Sequence, residues 1–302
     1  MTAAAPRAWV YLQERFPLPA HGPLVLAFAG GVACASAALR GADGPGWAAV
    51  AAAFVVSLGA FFQLRVADEW KDREADARWR PERPVPRGLV TLGELTAAAV
   101  AVAVVQVAVS AWLAPRLLVP LMLVWAWGAA MTAEFGLPDR LRQSPALTLV
   151  SHGLIVPLID FYSVSADVLG AGAGYPSGVG PLVGVSLFGG MVVEVGRKVW
   201  AGADERPGVP TYSAAWGRRP ALVVWAGAVV ASLACGLVVL GQVGGPPVLA
   251  AALAVVAVAV VALGVGALWA GRPGRGRVLE AAAGLWTLGL YLTIGPLALL
   301  AS

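Results

Sequence analysis

Asp68, Asp72 and Asp76 follow one another at four-residue intervals, just where a long apolar stretch of the chain ends. That interval puts three carboxylates on nearly one face of a helix, a stripe of about 12 Å at a rise of ~1.5 Å per residue. Like charges so spaced repel, and aspartate is a weak helix former. A cation must offset the arrangement. In a chain otherwise composed for lipid, the chemistry that fits is a divalent metal ion bridging a phosphate-bearing ligand. A second polar stretch carries Glu194, Arg197, Lys198 and Asp204.

The elements that must position these groups are membrane spans. Of 302 residues 59% are hydrophobic and 13% charged, with a mean hydropathy of +0.78. A water-soluble domain so apolar would expose large greasy patches. Windows long enough to cross ~30 Å of hydrocarbon recur at 23–41, 47–66, 89–113, 117–136, 146–168, 179–196, 220–241, 247–270 and 278–300. The expected fold is an all-α integral membrane protein of nine spans. Residues 1–22 read as a short amphipathic lead-in carrying Arg7 and Arg15, without the pattern of a signal peptide. Residues 23–302 read as one membrane domain.

Charge placement tests that topology independently. With the N-terminus and the two long polar loops on the cytoplasmic side, all of the 21 Lys and Arg except Arg40 and Arg116 fall inside, the bias expected of a multi-pass cell-membrane protein. The net charge of +4 therefore calls for a lipid bilayer as partner and for no nucleic acid. Cys34 and Cys235 both fall within spans, so neither a disulfide framework nor a thiolate metal site is suggested. The small-residue run 31–38 fits close helix approach. The glycine-rich stretch 170–180 follows a span and has no P-loop lysine, so it reads as a linker.

The two polar loops, 67–88 and 197–219, stand four spans apart. Each begins with acids at a helix end and runs through prolines to a threonine, Thr91 or Thr211. That parallel suggests duplicated halves, spans 1–4 and 5–8, with a ninth helix added. An even offset puts both loops on one membrane face, able to converge on a central cavity.

The run from Asp68 to Asp76, followed by Arg83-Pro84-Val85-Pro86-Arg87-Gly88, resembles the first aspartate-rich motif of the UbiA superfamily of intramembrane prenyltransferases. There an N/D-xxx-D-xxx-D run leads into an R-P-L-P-x-G segment; here Asp68 takes the first position and Val85 replaces the leucine. The resemblance implies a UbiA-type helical bundle around a central cavity, in which an isoprenoid diphosphate ionises and its carbocation alkylates an acceptor of unspecified identity. It also implies Mg²⁺ as cofactor, with Asp68, Asp72, Asp76, Glu194 and Asp204 as metal-binding, catalytic carboxylates. Hard carboxylate oxygens suit Mg²⁺, and Lys or Arg add charge-assisted hydrogen bonds to phosphate. Arg83, Arg140, Arg197 and Lys198 are the candidates for that role.

The second loop departs from the family's D-xxx-D-xxx-D pattern. Glu194 stands near the first acidic position and Asp204 near the last, ahead of Gly208 and Thr211; the middle acid is missing where Arg197 and Lys198 lie. Either a second metal is held more weakly, or fixed cations replace part of its charge. His152 and Asp160, eight residues apart on one face of the fifth span, are further substrate-binding candidates, because ionisable groups within spans are costly. An interhelical hydrogen bond explains them equally well. Trp125, Trp127 and Trp286 read as packing or interface residues. Two rivals keep the membrane setting: a terpene cyclase of the same type that needs no separate acceptor, and a non-enzymatic transporter or lipid-binding protein.

Overall fold

The computed structural model describes residues 6–206, 209–269 and 276–301, so Gly208, Arg272 and Arg275 lie outside the described residues. The elements are helical throughout: α1 (Arg7–Arg15), α2 (Leu18–Leu39), α3 (Trp47–Lys71), α4 (Arg73–Trp79), α5 (Leu92–Leu113), α6 (Leu118–Thr132), α7 (Pro138–Gln143), α8 (Pro145–Gly153), α9 (Ile155–Gly170), α10 (Val179–Arg197), α11 (Tyr212–Trp216), α12 (Arg218–Gln242), α13 (Pro247–Trp269), α14 (Gly276–Leu292) and α15 (Ala298–Ala301). Among the described residues there is no strand. Among the described residues, nine helical stretches are long and apolar enough to cross a membrane, and they coincide with the nine windows read from the sequence.

Three spans depart from simple helices, and proline accounts for two of them. The fifth is broken between α8 and α9 at Leu154. Pro157 has no N–H to give the Gly153 carbonyl, and its ring crowds that carbonyl. The ninth passes through a π-helical turn, Thr293–Leu297, containing Pro296. The fourth ends early, at Thr132, because Glu134, Phe135 and Gly136 take left-handed backbone angles.

The helices pack as two groups sharing a seam. α3 lies against α2, α5 and α9, while α10 lies against α9, α12 and α14, with α13 outside α12 and α14. Each polar loop thus joins two helices in direct contact, α3 to α5 and α10 to α12. Small residues make the seam tight: Gly31, Val32, Ala33, Ala35, Ser36 and Ala37 are all buried. A Cβ on Gly31 would stand 3.0 Å from the Tyr291 carbonyl oxygen, so α2 and α14 meet backbone to backbone there.

Several polar side chains inside the bundle pair with one another or with backbone carbonyls, as a low-dielectric interior favours. Trp286 donates to Ser232 at 3.0 Å, Trp125 to Gln106 at 3.2 Å and Trp127 to the Ser151 carbonyl at 2.9 Å. Packing is thus the role of all three tryptophans singled out in the sequence. Arg40, at the end of α2, grips the fully buried Asp167 of α9 through two hydrogen bonds of 2.9 and 2.7 Å. Cys34 and Cys235 are both free thiols.

At the other end, α1 lies across α3 and α5. Tyr11 and Leu12 pack with Phe62, Val66, Val90 and Leu95. An apolar cavity of about 420 Å³ opens beneath it, lined by Leu12, Phe16, Gly59, Phe62, Ala98 and Val102 among others and by none of the candidate site residues.

Candidate functional site

The first motif begins in α3 and turns the corner into α4. Backbone hydrogen bonds run Asp72 to Asp68, Asp76 to Asp72 and Arg80 to Asp76 at 2.8, 2.7 and 2.8 Å, so helical pairing persists through all three aspartates. The stripe nevertheless winds. Four residues at 100° each overshoot a full turn by about 40°, and Asp72 opens the backbone further, with φ −91° and ψ 4°. Asp68 is therefore exposed, Asp72 half-buried and Asp76 buried.

Their partners differ accordingly. Asp68 touches Arg65 at 3.4 Å. Asp72 has no ion pair or side-chain hydrogen bond among the described residues. Asp76 accepts from Arg80 at 3.1 Å and from Arg83 at 2.6 Å. The carboxylate of Asp76 is thus already neutralised by the basic segment that follows it. That segment, 83–88, is one helical turn closed by hydrogen bonds from Arg87 to Arg83, Gly88 to Val85 and Leu89 to Pro84. Gly88 ends it at φ +75°, a backbone angle that explains the glycine of the motif. Thr91 then caps α5 in a reciprocal pair with Glu94.

The second loop is built around ion pairs of its own. Helical spacing brings Arg197 and Lys198, three and four residues on, to Glu194 at 2.7 and 2.9 Å. Asp204 lies on a short 3₁₀ turn, Gly202–Asp204, and is half-buried. The next residue, Glu205, ties the loop shut by accepting from Thr211 at 2.7 Å and from Ser213 at 2.6 Å. Thr211 caps α11, placing Tyr212 near Glu194. Burial, and next the charge of Glu194, push the Tyr212 phenol up from its ordinary value, which keeps it a donor at neutral pH. The ammonium of Lys198 lies 5.9 Å from its ring.

The two loops converge. Arg197 lies within electrostatic reach of Asp68, and His152 within reach of Lys71, Glu134 and Glu194. Lys71, between Asp68 and Asp72, contacts Glu134 at 2.8 Å. Arg140 is exposed on α7, with no ion pair among the described residues.

His152 and Asp160 lie on either side of Leu154, where α8 gives way to α9 with the backbone still in the right-handed helical region. His152 faces the acidic cluster, with its Nε2 buried and without a hydrogen-bond partner. Asp160 is fully buried and accepts hydrogen bonds from Ser186 and from Tyr291. It knits α9, α10 and α14 together. Lys71, Glu134 and Tyr212 were missed as a group, because only the fold shows that the fourth span ends beside the first loop; the charge between two motif aspartates was the one signal available for Lys71.

The sequence model of the UbiA prenyltransferase family matches residues 24–277. The chain belongs to the UbiA family. Solved UbiA-type structures share the fold. The apo UbiA homologue from Aeropyrum pernix K1 is 19% identical, with a TM-score of 0.67 over 88% of this chain and 95% of that one. Digeranylgeranylglyceryl phosphate synthase is 13% identical, at 0.67 over 98% of both chains. A UbiA homologue from Archaeoglobus fulgidus bound to DMAPP and Mg²⁺ is 12% identical, at 0.60 over 94% of this chain and 98% of that one. No curated protein matches the chain.

The donor set can be judged against Mg²⁺. Among the described residues no three acidic, histidine or cysteine side chains gather closely enough to hold an ion by themselves. Mg²⁺ does not need such a cage: it commonly takes one or two carboxylates, keeps waters, and completes its shell with substrate phosphate oxygens. Asp72 without a partner and Asp68 on a loose contact offer that pair of hard oxygen ligands.

Proposed function

We propose that this UbiA-family enzyme ionises an isoprenoid diphosphate and transfers the prenyl group to an acceptor within the membrane. The observation that carries the reading is the contrast among its carboxylates. Asp76 and Glu194 are engaged by arginines and a lysine, whereas Asp72 has no ion pair among the described residues and stands in the same turn as the exposed Asp68. Asp68 and Asp72 would hold Mg²⁺, which when bound neutralises the charge building on the departing diphosphate. Asp76 keeps Arg80 and Arg83 in place, and Glu194 does the same for Arg197 and Lys198. These fixed cations supply charge-assisted hydrogen bonds to the phosphate oxygens, in place of the acids missing from the second loop. Asp204 borders the same loop and His152 the same cluster, where an unpartnered ring nitrogen can orient a polar group of either substrate. Arg140, exposed on α7, is a further candidate for a phosphate contact.

The positive-inside bias supports a cytoplasmic orientation for this face. The matching loop architecture supports reading the bundle as two related halves and a ninth helix.

The test is diphosphate release by the purified protein in nanodiscs from C10, C15 and C20 prenyl diphosphates, with Mg²⁺ or EDTA, followed by mass spectrometry of the extract. Mg²⁺-dependent release that disappears in Asp72→Ala is the expected result. A hydrocarbon formed from the donor alone would identify a cyclase. No release with any donor, across a panel of acceptors, would overturn the enzymatic reading.

A further inference from the structure

Lys71 stands between the two aspartates proposed to hold the metal, and its partner comes from a different span. Its Nζ lies 2.8 Å from Oε1 of Glu134, with side-chain exposures of 31% and 22%. Glu134 opens the turn that joins α6 to α7. Its backbone is left-handed, at φ 48°, and so is that of Phe135, at φ 52°. Among the described residues these are the only non-glycine positions with positive φ. Glutamate and phenylalanine gain nothing locally from that conformation, unlike asparagine or glycine, so tertiary contacts must hold it. Two such contacts exist. One is the ion pair with Lys71. The other is the Phe135 ring, packed at 5.2 Å from Trp127 and 6.0 Å from His152.

We infer that Lys71 is a diphosphate-binding residue and that Glu134 is the anion standing in for phosphate until substrate arrives. The inference rests on the proposed placement of the Mg²⁺–diphosphate at Asp68 and Asp72. A diphosphate bridged to those two residues lies within reach of the lysine in the same helical turn, whose ammonium sits on a flexible four-carbon stem. A partly exposed ammonium–carboxylate pair is weak. A diphosphate offers more charge and more acceptor oxygens than one carboxylate, so Lys71 exchanges partners when it binds. Glu134 is then released, and with it one of the two contacts that hold the turn left-handed. The paired state keeps Lys71 aimed and neutralised in the free enzyme, at the expense of competing with substrate. A pair that merely ties α3 to α6 would show no such competition.

Calorimetric binding of inorganic diphosphate with Mg²⁺ to the full-length protein in detergent separates these roles. Lys71→Ala should weaken binding about tenfold or more, the scale of one charge-assisted contact, and Lys71→Arg should keep most of it. Glu134→Gln should tighten binding about three- to tenfold, because the competing charge is gone while the side-chain shape remains. The same Glu134→Gln change made in Lys71→Ala should have no effect. Unchanged or weaker binding in Glu134→Gln, or an equal effect in the Lys71→Ala background, overturns the inference. Melting curves confirm that each variant is folded, and the arginine variant serves should Lys71→Ala unfold. Wild-type protein that binds no Mg²⁺–diphosphate sinks the proposed site and this inference together; wild-type binding without the variant pattern sinks this inference alone.

Discussion

Arg15 donates from its Nε to Oε1 of Glu69 at 2.6 Å, joining the N-terminal helix to the residue immediately after Asp68. Glu69 is almost completely buried, with a side chain only 1% exposed. Arg87, from the turn that follows the motif, grips Glu14 on the same helix at 2.9 and 2.8 Å. The lead-in helix is therefore clamped to both ends of the first motif.

Removing Arg15 should be severe. Arg15→Ala leaves a buried carboxylate without its cation, a defect worth about 3–5 kcal/mol. The expected outcome is a clear fall in melting temperature. Arg15→Met combined with Glu69→Leu should recover most of that loss, since a buried pair exchanged for apolar side chains is close to neutral. A double variant no more stable than Arg15→Ala would show that the pair is not what holds the helix.

The motif aspartates should divide by phenotype. Asp72 has no ion pair or side-chain hydrogen bond among the described residues, so Asp72→Ala should melt like the wild type while diphosphate release falls about 100-fold or more, roughly 3 kcal/mol of lost transition-state stabilisation. Asp76→Ala strands two arginines that keep some solvent access, 27% and 22% exposed. It should lose about 1–3 kcal/mol of stability as well as activity. Comparing melting temperature with turnover for the two variants checks this; equal destabilisation of both would contradict the division.

The sequence carried the spans and the first motif well, and the physics says why. Apolar windows and charge bias follow directly from the bilayer, and the R-P-V-P-R-G turn has a local hydrogen-bonding logic that ends on Gly88. Side-chain partnerships were harder to read. A four-residue spacing says that Asp68, Asp72 and Asp76 share a side. It does not say that 40° of drift per step and a backbone change at Asp72 send the third inward to Arg80 and Arg83. The change from α8 to α9 at Leu154, three residues before Pro157, is a boundary that apolar periodicity alone does not mark. The approach of Glu134 to Lys71 depends on two left-handed residues of types that give no local signal for that conformation.

Acid should loosen the N-terminal helix. The hydrogen bond from Arg87 holds the Glu14 carboxyl below its ordinary value of 4.5. A depressed value means that the undocked helix binds the proton more readily, so the contribution of this pair is complete above pH 4.5 and lost as pH falls through the lowered value. Protease cleavage of the N-terminal segment in nanodiscs should therefore rise as pH falls below the ordinary value of 4.5. Glu14→Gln should be cleaved more readily at neutral pH and show a shallower rise. A wild-type cleavage profile flat through that fall in pH would mean that the apolar contacts of Tyr11 and Leu12 suffice.

The role of Glu194 can be told from its metal dependence. Its two carboxylate oxygens face Arg197 and Lys198 at 2.7 and 2.9 Å, which suits a residue that organises cations for phosphate. Glu194→Gln keeps the shape and removes the charge. If Glu194 organises cations, the Mg²⁺ concentration for half-maximal diphosphate release should stay within about twofold of wild type, while the KM for the prenyl diphosphate shifts because Arg197 and Lys198 have lost their anchor. If it is a metal ligand, the Mg²⁺ requirement should climb by about tenfold or more, the 1.4 kcal/mol scale of one lost contact. A Mg²⁺ titration at saturating donor decides between them, and the tenfold outcome would return the second loop to metal binding despite its missing middle acid.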